Sequence, residues 1–202
     1  MTKEKQTKGE VTRLAIEDAA FELFMEQGYH ATSMRQIADH AKLALGGIYN
    51  HFSNKEEIFA AILLDKHPYK QILPLMLAAE GDTAEEYIRI AAKTLVTELG
   101  SRPELMKLIF IALVEFNGKH VGSLLSDIVP KVLPMFEKMI RVRKNLRKIP
   151  PPVLVRSFLG MFFSFYITEL LIKDSLLAHL MPKNSFDLFV DIYLHGVIKE
   201  TT

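Results

Sequence analysis

The sequence predicts an all-α chain, on three observations. Apolar residues recur near the 3.6-residue period in one segment after another. Recognisable helix starts and stops bound those segments. No stretch shows the apolar-polar alternation between tight turns that a half-buried strand needs, and no internal repeat or low-complexity tract is present. With 49% hydrophobic residues in a chain of 202, there is enough apolar material for one large core or for a small domain on a larger one.

Residues 1–9 read as a polar, mobile arm. A first helix begins at Glu10, carries Leu14, Ala15, Ala19, Leu23 and Phe24, and stops at Gly28. In Thr32-Ser33-Met34-Arg35-Gln36, Ser33 is the cap of a second helix and Gln36 its reciprocal partner, with Ile37, Ala38 and Ala41 behind them. Lys42-Leu43 then makes a tight connection to another short helix beginning at Ala44 or Leu45. This one holds Gly46-Gly47, and each glycine costs a helix roughly 1 kcal/mol relative to alanine. Ser53-Asn54-Lys55-Glu56 reads as a capping box that opens a fourth helix through Ile58, Phe59, Ile62 and Leu63, which Pro68 and Pro74 end or kink.

Further on, Asp82 begins a helix that Gly100 stops, and Ser101-Arg102-Pro103-Glu104 opens one that Asn117-Gly118 stops. Two long helices follow, about Gly122 to Lys148, interrupted near Pro130 and Pro134, and about Pro152 to His179. A last helix is predicted from about Ser185 to Lys199.

Composition narrows the function by exclusion. With 25 Lys and Arg against 24 Asp and Glu, the formal charge is +1, so any affinity for nucleic acid must come from local placement. The chain lacks cysteine, which excludes a disulfide framework and thiol catalysis. Its polar start lacks the apolar core of a signal peptide, and a cytoplasmic location is expected. The most apolar run, Ser157 to Thr168, falls short of the ~20 residues of a membrane span and reads as a buried helix or a subunit interface, with no membrane partner. Neither a nucleophile elbow nor a phosphate-binding glycine loop occurs, and the seven histidines lack metal-ligand spacing, so no enzyme activity, cofactor or metal is expected.

What remains is a short helix, a tight turn and a second short helix, the arrangement that lays its second helix in the DNA major groove. Missing side chains at Gly46 and Gly47 would let the backbone approach phosphates and base edges. Tyr49 lies three residues past Gly46 on the same face and can reach a phosphate or a thymine methyl; Asn50 suits a bidentate contact to adenine; His51 can donate to phosphate.

Residues 11–63 resemble the DNA-binding domain of the TetR family of bacterial transcriptional repressors. The resemblance lies in Gly28-Tyr29-His30-Ala31-Thr32-Ser33, Ile37-Ala38, Ala41, Gly46, Ile48-Tyr49-Asn50-His51-Phe52 and Lys55-Glu56-Glu57. It implies that Ser33, Arg35, Tyr49, His51 and Lys55 grip phosphate and that Leu45, Gly46, Gly47 and Asn50 face the bases. Two departures stand out. Lys42 occupies a turn position where the family usually has glycine, storing about 1 kcal/mol of left-handed strain; Ala44 stands where a serine usually caps the helix, a loss of similar size.

The resemblance divides the chain into the arm, a DNA-binding domain at 10–67 and a helical effector-binding and dimerisation domain at 68–202. It implies a homodimer formed through the last two helices. The residues agree, because 153–172 is apolar around nearly its whole circumference and the last helix carries a matching stripe. Candidate interface residues are Phe158, Phe162, Phe165, Phe186, Phe189, Tyr193 and Val197. For an unidentified hydrophobic or amphipathic effector, candidate lining residues are Met106, Phe110, Met135, Met139, Phe162 and Tyr166. Glu115 and Glu169 are the polar exceptions, able either to anchor a cationic or hydroxylated ligand or to pair with a basic side chain. The expectation is a ligand-released repressor of a near-palindromic operator in double-stranded DNA; an activator of the same fold, or a helical interaction module without DNA, are the alternatives.

Overall fold

The computed structural model describes residues 7–77, 83–142 and 147–197, with side chains for all of these except 70, 76–77, 84, 132–142 and 197. They form α1 (Lys8–Gln27), α2 (Met34–His40), α3 (Leu45–Tyr49), α4 (Lys55–Lys66), α5 (Tyr69–Leu77), α6 (Ala84–Gly100), α7 (Pro103–Phe116), α8 (Lys119–Val142), α9 (Pro151–Ile172), a 3₁₀ turn (Leu176–Leu180) and α10 (Ser185–Val197). The fold is all-α, with a helix-turn-helix at its N-terminal end. By packing it divides into two units: residues up to His67 together with Pro103–Ser126, and Pro68–Arg102 together with residues from Asp127 onward.

Local signals in the first unit set where each helix starts. Thr7 caps α1 through a reciprocal box with Glu10, so α1 begins two residues before Glu10, inside the stretch read as an arm. Ser33 and Gln36 form the expected box at α2. At α4 the expected box does not form: Asn54 rather than Ser53 is the cap, its side chain accepting from the Glu57 N–H at 2.8 Å, while the Glu57 carboxylate accepts from the N–H of Ser53, one residue before the cap, at 2.8 Å. Gly28, at φ 87, ends α1 in a conformation that a Cβ would strain.

These short helices close around one core. Ile16, Ala20, Phe24, Ile37, Ile48, Phe52, Ile58, Phe59 and Ile62 are all at most 2% exposed. From α7, Phe116 adds its ring to those of Tyr29 at 5.0 Å and Phe59 at 5.1 Å, and His120 of α8 meets Phe116 at 4.7 Å. Lys119 and His120 both reach the Glu56 carboxylate, at 2.9 and 3.1 Å.

In the second unit α5, α6, α9 and α10 share a core of Ile72, Tyr87, Ala92, Leu154, Phe158, Phe162, Val190 and Leu194. Arg89 of α6 ties Glu85 to Asp191 of α10, and the Tyr193 hydroxyl donates to the Leu154 carbonyl at 3.1 Å. Three expectations need correction here. Thr83, boxed with Glu86, caps α6, while Asp82 lies outside the described residues. α8 starts at Lys119 and continues through Pro130 and Pro134, because a proline deletes one hydrogen bond and bends a helix without obliging it to end. α9 stops at Ile172 rather than His179: the Ser175 hydroxyl accepts from the Leu177 N–H at 3.2 Å and starts the 3₁₀ turn, a local bond that competes with the helix.

By length and composition α9 is the one helix among the described residues able to cross a membrane, with a mean hydropathy of 1.4 over its best window. It is longer than the run picked out in the sequence because Leu170, Leu171 and Ile172 continue it past Glu169.

Candidate nucleic-acid interface

The turn between α2 and α3 is closed by two backbone bonds, Leu43 N–H to Ala38 O at 2.9 Å and Lys42 N–H to Asp39 O at 3.2 Å. This is the paired bonding of a Schellman motif, whose left-handed position usually takes glycine. Lys42 occupies it at φ 57, as the sequence implies. Ala44 precedes α3 in an extended conformation and makes no side-chain cap. Both departures noted in the sequence are therefore present in the fold.

α3 has an inner and an outer face. Ile48 and Phe52 are buried, Leu45 and His51 are half-buried, and Gly46, Tyr49 and Asn50 are exposed, Tyr49 to 52%. A Cβ built on Gly46 or Gly47 would meet no atom of the chain within 4 Å, and neither glycine has positive φ. Neither the packing nor the backbone of the protein requires glycine there.

Ser33 and Arg35 are exposed at the start of α2, but the Ser33 hydroxyl is occupied, accepting from the Gln36 N–H at 3.2 Å and donating to Gln36 Oε1 at 2.8 Å. Lys55 is more enclosed than its reading as a phosphate ligand implies. Its ammonium lies 4.1 Å from the Tyr29 ring centroid and donates to the Tyr29 and Thr32 carbonyls, the latter at 2.6 Å. Burial holds its pKa below the usual lysine range, opposed by the nearby Glu115 charge. Arg13 was missed by the sequence reading, although its i,i+4 spacing to Glu17 was visible. Its Nε lies 3.1 Å from Glu17 Oε1, its guanidinium stands over the Phe52 ring, and Nη1 donates to the His51 carbonyl.

The candidate effector residues are divided between the units. Met106, Phe110 and Glu115 belong to the first, where Met106 is buried and Glu115 pairs with His30. Phe162, Tyr166 and Glu169 belong to the second. Phe162 is core at 1% exposure with Tyr166 stacked beside it, and Glu169 is exposed. Met135 and Met139 lie outside the described side chains. An open groove of about 360 Å³ on α5 and α6, lined by Leu75, Ile90, Lys93, Thr94, Thr97 and Glu98, contains none of the predicted residues. Among the described residues no cluster could hold a metal ion.

The interface candidates also divide. Phe158 and Phe162 are 5% and 1% exposed within the chain's own core, so they have almost no surface left for a partner. Phe165 stays half-buried in edge-to-face contact with Phe186 and Phe189, and Tyr193 is half-buried. Val197 lies outside the described side chains. The most exposed apolar residues of these helices are Leu171 at 75% and Ile192 at 73%. A helix apolar on every side does not reveal in sequence which side faces inward.

Residues 16–62 match the family model for bacterial regulatory proteins, tetR family. Over 59 residues the chain is 41% identical to the regulator UidR of Escherichia coli, a match covering 29% of this chain and 30% of UidR. Against the transcriptional repressor BepR of Brucella suis it is 28% identical over 152 residues, covering 70% and 71% of the two chains. The solved structure of NalD from Pseudomonas aeruginosa, described as the secondary repressor of a multidrug efflux pump, superposes with a TM-score of 0.68 at 21% identity, covering 96% of this chain and 100% of that one.

Proposed function

We infer that this chain, whose N-terminal domain belongs to the tetR family of bacterial regulatory proteins, is a DNA-binding transcriptional regulator that acts as a homodimer and answers to a small ligand. The observation that carries this reading is the glycine pair of α3, set on an open face with no internal reason for glycine. Beside it Tyr49 and Asn50 stand exposed, Leu45 borders the bases, and His51 and Arg35 supply phosphate donors. Two copies joined through α9 and α10 would present two such helices to a near-palindromic site in double-stranded DNA, with half-sites about one turn, ~34 Å, apart or a modest multiple of it.

The finer reading is a repressor released by its ligand. The regulators BepR and NalD are described as repressors, which supports that direction. Release requires only that the ligand bind the DNA-free state more tightly, and linkage then obliges DNA to weaken ligand binding by the same factor. A regulator of this kind meets its operator in the cytoplasm.

The test is selection of bound duplexes from a random-sequence pool by the full chain. A dyad-symmetric sequence should be enriched, and Gly47→Leu should weaken its binding without lowering the thermal midpoint. If Gly47→Leu binds the selected duplex as the parent does, the interface is elsewhere.

A further inference from the structure

We propose that Arg13 of α1, anchored on the buried Glu17 carboxylate, is a positioning residue for DNA recognition: its guanidinium clamps the exit of α3 and so fixes the direction in which Tyr49 and Asn50 point. This rests on the DNA-binding reading above and adds to it a residue outside the helix-turn-helix.

α3 has five residues, two of them glycine, and no side-chain cap. A helix so short does not hold its shape alone, and neighbouring groups must define both of its ends. The entry is defined by the bonds around Lys42. At the exit, the His51 and Phe52 N–H groups both donate to the Ile48 carbonyl, at 2.8 and 2.9 Å, and the His51 carbonyl accepts from Arg13 Nη1 at 3.4 Å. A cation is electrostatically favourable at this end of a helix. The same guanidinium lies 4.2 Å from the Phe52 ring centroid, so one group touches two consecutive residues of the exit.

What holds the guanidinium is Glu17. This residue is only 5% exposed, and a buried carboxylate is strongly unfavourable without a partner; Arg13 Nε, at 3.1 Å, is that partner. Burial pushes the Glu17 carboxyl above the usual range while Arg13 pulls it back. The pair is intrahelical, so α1 presents the guanidinium to α3 as a rigid fixture. Glu17 lies on the core side of α1, which makes it a support for Arg13 rather than a DNA ligand.

The experiment uses the full chain, the duplex it selects from a random pool, and a scrambled duplex of the same composition. Arg13→Met keeps the apolar stem over Phe52 and removes the donors. It should weaken binding to the selected duplex about tenfold, roughly one charge-assisted hydrogen bond, and leave the scrambled duplex within about twofold. The salt dependence should be unchanged. Glu17→Gln should act in the same direction, and the double variant should be no worse than Arg13→Met. In the free protein, amide exchange at His51 and Phe52 should accelerate while that at Ile37 and Ile58 does not.

Equal losses on both duplexes with a salt slope lower by about one would make Arg13 a phosphate contact and overturn the proposal. Unchanged exchange at His51 and Phe52 would overturn it as well. Failure of the parent chain to select any duplex would sink the DNA-binding reading, while exchange in the free chain would still decide the clamp. Should thermal melting show Arg13→Met unfolded, Arg13→Lys, which keeps the charge but cannot bridge Glu17 and His51 together, is judged by the same criteria.

Discussion

In α4 the side chains of Ile58, Phe59, Ile62 and Leu63 are all buried, whereas in α9 only Leu154, Phe158 and Phe162 are, and Leu171 stays three-quarters exposed. Both helices carry runs of apolar residues, although α4 also bears charged residues at both ends. α4 is enclosed by α1 on one side and α7 on another, which leaves Leu64 as its one exposed large apolar side chain. α9 packs on α6 and α10 and leaves Leu170 and Leu171 exposed, and α10 likewise exposes Leu188 and Ile192. The difference separates apolar residues that build a core from apolar residues that stay at the surface. Exposed apolar residues on these two helices are what the proposed homodimer would cover.

The largest effect should come from opening the closed side. Phe59→Ala deletes a ring with no exposure, packed against Phe24, Tyr29 and Phe116, and should destabilise the first unit by about 3–5 kcal/mol in chemical denaturation, at any protein concentration. Ile192→Glu probes the open side. Placing a carboxylate at this exposed position should weaken the dimer by about 3 kcal/mol, seen as monomer in sedimentation, while the melting of the monomer shifts little. A variant that remains dimeric would place the partner surface elsewhere.

Acid should act on the closed side through His67, which follows α4. Burial depresses its pKa from 6.5 to about 4, so the unfolded chain binds its proton first as the pH falls. The contribution is complete above pH 6.5 and is lost as the pH falls towards 4, which amounts to about 2 kcal/mol at pH 5. His67→Gln should flatten that portion of the stability–pH curve; an unchanged slope would assign the acid sensitivity to other groups. The smallest effects belong to the caps. Ser33→Ala should cost about 1 kcal/mol, and Lys42→Gly should gain somewhat under 1 kcal/mol by relieving a left-handed lysine, both read as shifts in denaturation midpoint.

The same contrast explains what was legible in the sequence. Ser33 with Gln36, Gly28, Lys42 and Asn117-Gly118 announce their roles because capping and left-handed turns depend on the residue itself and its near neighbours. The shift of the α4 cap from Ser53 to Asn54 is a one-residue ambiguity among adjacent cap formers. Positions set by tertiary contact were not legible. Phe158 and Phe162 look like interface candidates until α6 is laid against them, and Lys55 looks free until the Tyr29 and Thr32 carbonyls curl over it. Arg13 was overlooked because its significance lies in a contact 38 residues away in the chain.

The first unit is interrupted in the sequence: its α7 and the start of α8 follow an intervening segment, Pro68–Arg102, that belongs to the second. During synthesis, Tyr29 and Phe59 leave the ribosome before the ring of Phe116 that covers them exists, a delay on the order of several seconds at typical elongation rates. The N-terminal helices therefore cannot mature until α7 and the start of α8 have been made, and nascent protein carries an uncovered aromatic surface in the interval. For the same reason, a domain graft joined at His67 would separate these aromatics from their cover, and an exchange of DNA-reading heads between regulators of this design should carry Pro103–Ser126 with the head.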